Sequence, residues 1–202
     1  MSVGVFVSAG GCLNNGPMDS DMTLPGIYLE TEVQDSDSGF TFDGDVIEEF
    51  DDDSPARIRL RVTNDSDEER EFGFYATPPF SSYGGEQRNG DAEVHLVPDD
   101  RDQLMSVDET GEPDEWIPSR PQDGCWQAMT DHRPVPPDVD RRFEPLDAGE
   151  AVEHEYTVLS SPKNEDCFPA GEYVVEGSLA IGGEEEETEY ELLLRLTVED
   201  SE

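Results

Sequence analysis

The chain has 202 residues, with 51 Asp and Glu against 12 Lys and Arg and a formal net charge of -39, and its length suits one domain with a tail. The sequence has no basic stripe of the kind that binds phosphate groups, so we expect no nucleic-acid partner. Hydrophobic residues make up 34% of the chain and are regularly patterned, which argues against an acidic disordered protein. Eleven of the basic residues are Arg and only Lys163 is Lys, a pattern typical of halophilic proteins, because at about 1 M salt exposed carboxylates are screened beyond roughly 3 Å.

The N-terminal segment is uncharged from residue 2 to residue 11 and leads to the first of three cysteines, Cys12. Its last residues, SAGGC, resemble a lipobox, the small-residue site at which lipoprotein signals are cut and the cysteine is lipidated. We therefore predict a truncated signal and polar tether over residues 1–25, lipidation of Cys12, and a natural start codon upstream of Met1. The alternative is a buried cysteine in a short N-terminal strand, which the following polar run LNNGPMDSDM disfavours.

From residue 26 onward the hydrophobic pattern has a period of two, which is typical of β-strands. The clearest example is Arg57–Val62, where Ile, Leu and Val alternate with arginines. Turn signals at residues 64–67 and 182–183 predict hairpins. The pattern indicates an all-β protein, an antiparallel immunoglobulin-like β-sandwich with long loops over residues 26–202. The other predicted strands are Ile27–Val33, Glu71–Ala76, Glu93–Val97, Cys125–Met129, Val152–Leu159, Glu172–Ile181 and Tyr190–Val198.

The acidic run Asp35–Asp45 is spaced like an oxygen-rich calcium loop, but Val46 stands where an EF-hand needs a bidentate Glu. A solvated acidic loop is therefore the favoured interpretation. Cys125, Met129 and His132 prompt a copper hypothesis, although their order differs from that of blue-copper sites. The sequence implies no cofactor, and it contains no catalytic motif.

Two features fit an exported protein. Asn64-Asp65-Ser66 is a candidate glycosylation sequon at Asn64, with plain use as a turn as the alternative. If Cys12 carries lipid, Cys125 and Cys167 remain as one disulfide pair, as expected in an oxidising compartment. Two independent buried thiols are the alternative for this pair.

Two long segments interrupt the strand pattern, Phe72–Gly90 and Ser106–Val139, and loops of this length are usually functional or disordered. Their aromatic residues Phe80, Tyr83 and Trp116 form a candidate binding surface, because amphipathic aromatic side chains are efficient contact residues. The alternative, which we favour, is that these side chains plug an open end of the sandwich.

Three stretches of the body follow one another in a familiar order: ARIRLRVTNDSDEEREFGF, LDAGEAVEHEYTVL and CFPAGEYVVEGSLAI. This order resembles that of the immunoglobulin-like sandwiches of haloarchaeal surface lipoproteins and of the BsuPI-like family, which is named for an intracellular proteinase inhibitor. The resemblance covers roughly residues 26–200. It implies an architecture and transfers no functional residue.

These features together predict a non-catalytic, lipid-anchored protein on the extracellular face of a halophile's cell membrane, acting as a binding or structural module. Its expected partners are the membrane, through the lipid, and another surface protein. Two alternatives stay open. The first is an extracellular protease inhibitor of the BsuPI-like type, which rests on the resemblance. The second is a metal-binding envelope protein, which rests on the calcium and copper patterns.

Overall fold

The computed structural model of the protein describes residues 25–34, 38–100, 115–130, 140–183 and 186–199. These residues form ten strands and no helix, so none of them belongs to a helix that could cross a membrane. Every pairing between strands is antiparallel, and the prediction of an all-β antiparallel protein is confirmed. The strands are β1 (Ile27–Val33), β2 (Phe40–Glu48), β3 (Arg57–Asn64), β4 (Arg70–Phe74), β5 (Gly84–Gln87), β6 (Glu93–Pro98), β7 (Arg142–Leu146), β8 (Ala151–Ser160), β9 (Gly171–Ile181) and β10 (Thr188–Val198).

The strands are joined into one continuous sheet with the order β1-β10-β9-β5-β6-β8-β3-β2, and β4 attaches to β9 and carries β7. The short strand β5 pairs with both β6 and β9 and so links the two halves of the sheet. At the other end, β1 packs against β2 without pairing: a side chain at Gly44 of β2 would lie 2.4 Å from Leu29 Cδ2 of β1. The sheet therefore curls around a single core.

Three local structures differ from the sequence prediction. Strand β2 occupies residues 40–45 of the predicted acidic loop, because Phe40 and Phe42 pack into the core while Thr41 and Asp43 face outward. The predicted hairpin at residues 64–67 is wrong, since β3 pairs with β2 and β8 whereas β4 pairs with β7 and β9. The predicted strand Cys125–Met129 is also wrong, since only isolated bridges hold these residues. The hairpin at residues 182–183 is confirmed by the pairing of β9 with β10.

The core follows directly from the period-two pattern. On β3, Ile58, Leu60 and Val62 are completely buried, while the arginines between them face outward. Strand β10 buries three leucines in the same way. Each fully buried side chain of this size contributes about 1.5–3 kcal/mol through removal of apolar surface from water, so the alternation of a few strands accounts for much of the stabilisation.

The arginines on the outer face of β3 pair with glutamates of the neighbouring strand β8, and we call Arg57, Arg59, Arg61, Glu153 and Glu155 the Arg–Glu ladder. Arg59 Nη2 lies 2.6 Å from Glu155 Oε1, and Arg61 Nη2 lies 2.6 Å from Glu153 Oε2. In the register of the two strands these residues are direct neighbours. Because the pairs are partly exposed, each contributes little to stability on its own, but together they favour this register of β3 on β8.

Candidate functional site

The predicted binding aromatics Phe80, Tyr83 and Trp116 lie in the core, with at most 3% of each residue exposed. The ring of Phe80 stacks on Phe42 at a centroid distance of 5.6 Å. It also fills the space above Gly177 of β9, where a Cβ atom would lie 2.3 Å from Phe80 Cε2. The structure therefore gives these three side chains the role of core residues, and they are not available as exposed contact residues.

Hydrogen bonds hold the loop between β4 and β5 in this position. The hydroxyl groups of Thr77 and Tyr83 lie 2.5 Å apart, and the buried Tyr156 hydroxyl donates to the carbonyl oxygen of Phe80 at 2.5 Å. Burial raises the pKa of Tyr156 well above its usual value, so this hydroxyl remains a donor. The loop is thus part of the packed interior and not a free binding loop.

Cys125 and Cys167 are at disulfide distance, with an S–S separation of 2.01 Å and a Cα–Cα distance of 5.7 Å. The bond holds the described segment 115–130 against β8 and the start of β9. Next to it, the buried Trp126 donates from Nε1 to the carbonyl oxygen of Asp51 at 2.7 Å. The disulfide and the tryptophan therefore close one end of the core together.

Asn64, the candidate glycosylation site, is completely buried. Its side-chain nitrogen Nδ2 donates to the carbonyl oxygens of Leu146 at 2.8 Å and Glu68 at 2.9 Å. Its Oδ1 accepts a hydrogen bond from the backbone nitrogen of Ser66 at 3.1 Å. The nitrogen that would carry a glycan is thus used to fasten the turn after β3, and the folded chain does not present it to an enzyme.

The metal hypotheses find no assembled site in the described part of the chain. Asp43 and Asp45 lie on β2 directly opposite Arg61 and Arg59 of the Arg–Glu ladder, and the charge of Asp45 contributes to the raised pKa of Arg59 after the larger effect of its hydrogen bond with Glu155. No group of three or more His, Cys, Asp or Glu that could hold a metal ion occurs among the described residues. The remaining predicted positions lie outside the described residues: Cys12, residues 35–37 and His132.

An open cleft of about 650 Å³ lies at β4 and β7, and we call it the Arg141 cleft. Its lining residues are Glu71, Arg141, Arg142, Phe143 and Glu144. Strand β7 pairs with β4 along its whole length, which places Gly73 of β4 opposite Phe143. This register places Glu71 and Phe143 on the outer face of the sheet, whereas Arg142 and Glu144 lie on the face of the core residues Phe74 and Phe72.

Arg141, the residue before β7, extends across the outer face of two strands. A Cβ atom at Gly73 would lie 2.6 Å from Arg141 Cδ, so the arginine can pass over β4 only because position 73 is Gly. The next residue along this line is Ala180 of β9, which is paired with Gly73 on one side and with Glu189 of β10 on the other. Small residues on β4 and β9 thus allow the side chain to reach β10.

The side chain of Arg141 is 10% exposed, and its guanidinium group is held by three partners. Its Nη2 donates to Glu189 Oε1 at 2.6 Å and to the Tyr75 hydroxyl at 3.1 Å, and its Nη1 lies 3.2 Å from Glu187 Oε1. The group also lies 4.7 Å from the centre of the Tyr75 ring, at cation–π distance. This arrangement fastens β7 to β10 across the sheet.

The electrostatics of Arg141 follow from these contacts. Burial alone would lower the pKa of Arg141, but the hydrogen bond to Glu189 and the charges of its neighbours outweigh burial, so the pKa is raised. The same hydrogen bond lowers the pKa of Glu189. Among the described residues, the Nε atom of Arg141 has no hydrogen-bond partner although it is buried. An unsatisfied buried donor is uncommon in folded proteins, which makes this atom the most distinctive feature of the cleft.

Comparisons with protein-family models, with curated proteins and with solved structures found no match to this chain. The properties of the Arg141 cleft therefore rest on its own residues. Sequence patterns did not predict the cleft, because β7 carries Pro145 and too few apolar residues to appear as a strand. One signal pointed to it: Gly73 stands inside a predicted strand, and glycine in a strand often marks a close approach of another group.

Proposed function

We propose that the chain is a non-catalytic, lipid-anchored module on the extracellular face of a halophile's cell membrane, where it binds another surface molecule. The observation that carries this proposal is the disulfide distance between Cys125 and Cys167. Disulfides persist in oxidising compartments and are rare in the cytosol. With these two cysteines paired, Cys12 remains as the cysteine for lipid attachment, and the candidate lipobox precedes it.

The distribution of charge supports a halophilic setting. Six of the described arginines form ion pairs with carboxylates: Arg57, Arg59, Arg61, Arg88, Arg141 and Arg195. Since acidic residues outnumber basic ones by 51 to 12, the arginines and the one lysine can balance only a minority of the carboxylates. In dilute buffer such a surface repels itself, whereas concentrated salt screens the repulsion.

Two observations support an immunoglobulin-like arrangement as the finer description of the fold. The neighbour order β2-β3-β8-β6 on one side and β4-β9-β10 on the other corresponds to the A-B-E-D and C-F-G orders of such sandwiches. Tyr173 near the start of β9 donates from its hydroxyl to the carbonyl oxygen of Pro169, four residues earlier, at 2.6 Å. A tyrosine in this position of strand F, bonded to the backbone just upstream, is typical of these sandwiches. The strand β5 would then be an added link between the two sheets.

The decisive test is the intact mass of the native protein from source-cell membranes, measured before and after reduction. We expect a chain that starts at Cys12, carries the mass of a lipid, and gains two hydrogens when the disulfide is reduced. The same spectrum reports on Asn64, for which we expect no glycan because its side-chain nitrogen is buried. An unprocessed chain in the soluble fraction with three free thiols would overturn the proposal.

A further inference from the structure

We propose that the chain forms a symmetric dimer in which strand β7 pairs antiparallel with β7 of a second copy, centred on Phe143. In this register the two Phe143 residues lie opposite each other, and Arg142 of each chain lies opposite Glu144 of the other. The inference goes beyond the proposed function, because it identifies a second copy of the chain as a partner and does not depend on the lipid anchor.

Strand β7 has one side to which no described strand is paired, since among the described residues it pairs with β4 alone. The carbonyl oxygen of Glu71 on β4 accepts a hydrogen bond from the backbone nitrogen of Gly182, so the backbone groups of Glu71 point away from β7. Glu71 and Pro145 lie opposite each other and therefore form a non-hydrogen-bonded pair. Because backbone groups alternate in direction along a strand, those of Pro145 and Phe143 both point outward from the sheet edge.

Charge selects one register for two paired β7 strands. A symmetric antiparallel pairing can be centred on Arg142, Phe143 or Glu144. Centring it on Arg142 or on Glu144 places that residue directly opposite its own copy, and like charges in this position destabilise a sheet. Centring it on Phe143 makes the two Phe143 residues a hydrogen-bonded pair and places each Arg142 opposite a Glu144. These Arg–Glu positions are non-hydrogen-bonded pairs, in which opposite side chains are closest.

The side chains that this pairing uses are accessible in the single chain. Arg142 and Glu144 are both exposed although they lie on the core-facing side of the sheet, so the described part of the opposite layer does not cover them. Neither residue forms an ion pair within the described part of the chain. Phe143 is half-buried on the outer face, where a Cβ atom at Gly73 would lie 2.8 Å from its Cε1 atom. A second copy would give both charges a partner and cover more of the ring.

The pairing is short, so we expect a weak and reversible dimer. The two Phe143 residues exchange a pair of backbone hydrogen bonds, whereas Pro145 has no N–H group to donate another. Proline on an edge strand limits pairing of this kind, and small interfaces are typical of transient complexes. Each chain also carries a net charge of -39, so the dimer requires concentrated salt, where repulsion beyond roughly 3 Å is screened.

The test is sedimentation of the full chain over a series of protein concentrations in about 1 M KCl. We expect the natural chain to dimerise as its concentration rises. By symmetry, R142E and E144R each place like charges opposite each other at both Arg–Glu pairs, and each should weaken dimerisation about tenfold. The double variant R142E/E144R restores complementary charges and should dimerise like the natural chain. R88E and E191R are the matched controls, because they make the same changes in net charge at exposed residues away from β7, and they should also dimerise normally.

Mixing R142E with E144R completes the test, because each altered edge is then complementary only to the other. We expect dimers to reappear in the mixture, and we expect the Phe143 amide of the natural chain to exchange with solvent more slowly in the dimer than in the dilute monomer. A natural chain that stays monomeric at every concentration would leave this edge to a different partner and overturn the inference. Single variants that dimerise like their controls, or a mixture that stays monomeric, would also overturn it. None of these results bears on the lipid mass or on the thiol count of the native protein.

Discussion

At the scale of single residues, Gly177 decides whether the loop between β4 and β5 can enter the core. Phe80 lies directly above this glycine, and a Cβ atom there would approach Phe80 Cε2 to 2.3 Å. We expect Gly177→Ala to displace the ring and lower the free energy of unfolding by about 1–3 kcal/mol, as overpacking typically does. Urea unfolding in concentrated salt, followed by tryptophan fluorescence, measures the change.

Gly26→Ala is the matched control for this substitution. A Cβ atom at Gly26 would have Tyr28 Cε2 as its nearest contact, at 4.0 Å, so we expect its unfolding midpoint to stay close to that of the natural chain. If Gly177→Ala were as stable as Gly26→Ala, Phe80 would not be packed where the structure places it. The predicted aromatic binding surface would then become tenable again.

At the scale of elements, the Arg–Glu ladder makes the attachment of β3 to β8 sensitive to acid. The hydrogen bond from Arg59, aided by the charge of Arg57, lowers the pKa of Glu155 below its ordinary value of 4.5. A carboxylate with a lowered pKa in the folded state stabilises the protein above the unfolded-state pKa, and this stabilisation is lost as the pH falls through the folded-state pKa. The ladder should therefore weaken only below about pH 4.5.

Glu155→Gln tests this acid dependence because glutamine keeps the shape of the side chain and removes its charge. We expect the variant to be less stable than the natural chain at neutral pH and the difference to close as the pH falls below about 4.5, where the natural Glu155 becomes protonated. Thermal unfolding at a series of pH values measures it. The exposed Glu191→Gln serves as control, and a difference for Glu155→Gln that stays constant down to pH 3 would contradict the assigned role.

The segment around Trp126 depends on the disulfide rather than on strand pairing, since it makes only isolated bridges. Cys125 and Cys167 are 42 residues apart, and a crosslink closing a loop of that length stabilises by roughly 4 kcal/mol in the chain-entropy model. We expect C125A/C167A to lose about this amount and to respond no further to a reducing agent. A loss below about 1 kcal/mol would mean that the tryptophans alone hold the segment.

The sequence predicts those elements whose two faces differ in polarity. The alternation of apolar residues and arginines in Arg57–Val62 is sufficient to predict β3, because one face of this strand packs into the core and the other faces solvent. Strand β2 is predicted as a solvated acidic loop, because its aspartates conceal an alternation in which Phe40 and Phe42 alone mark the core face. The Arg141 cleft could not be predicted, because its residues belong to β4 and to the start of β7, which are distant in sequence and meet only through strand pairing.

At the scale of the whole molecule, the balance between local pairing and global repulsion sets the stability. The ion pairs of the described arginines act over about 2.5–3.9 Å, so they persist at contact even when salt shortens the screening length. The repulsion within a net charge of -39 acts over longer distances. Salt therefore removes more repulsion than attraction, because screening affects distant charges most.

This difference in range predicts that salt stabilises the fold. Raising KCl from about 0.1 M to about 1 M shortens the Debye length from about 10 Å to about 3 Å, and each kcal/mol of relieved repulsion raises Tm by roughly 2–4 °C for a chain of this size. We expect calorimetry to show a clear rise in Tm. A variant with Asp52, Asp91 and Glu191 neutralised, all of them exposed, should have a higher Tm in dilute buffer and a smaller response to salt. If Tm were the same at both salt concentrations, self-repulsion would not limit this fold, and the acidic composition would lose its halophilic explanation.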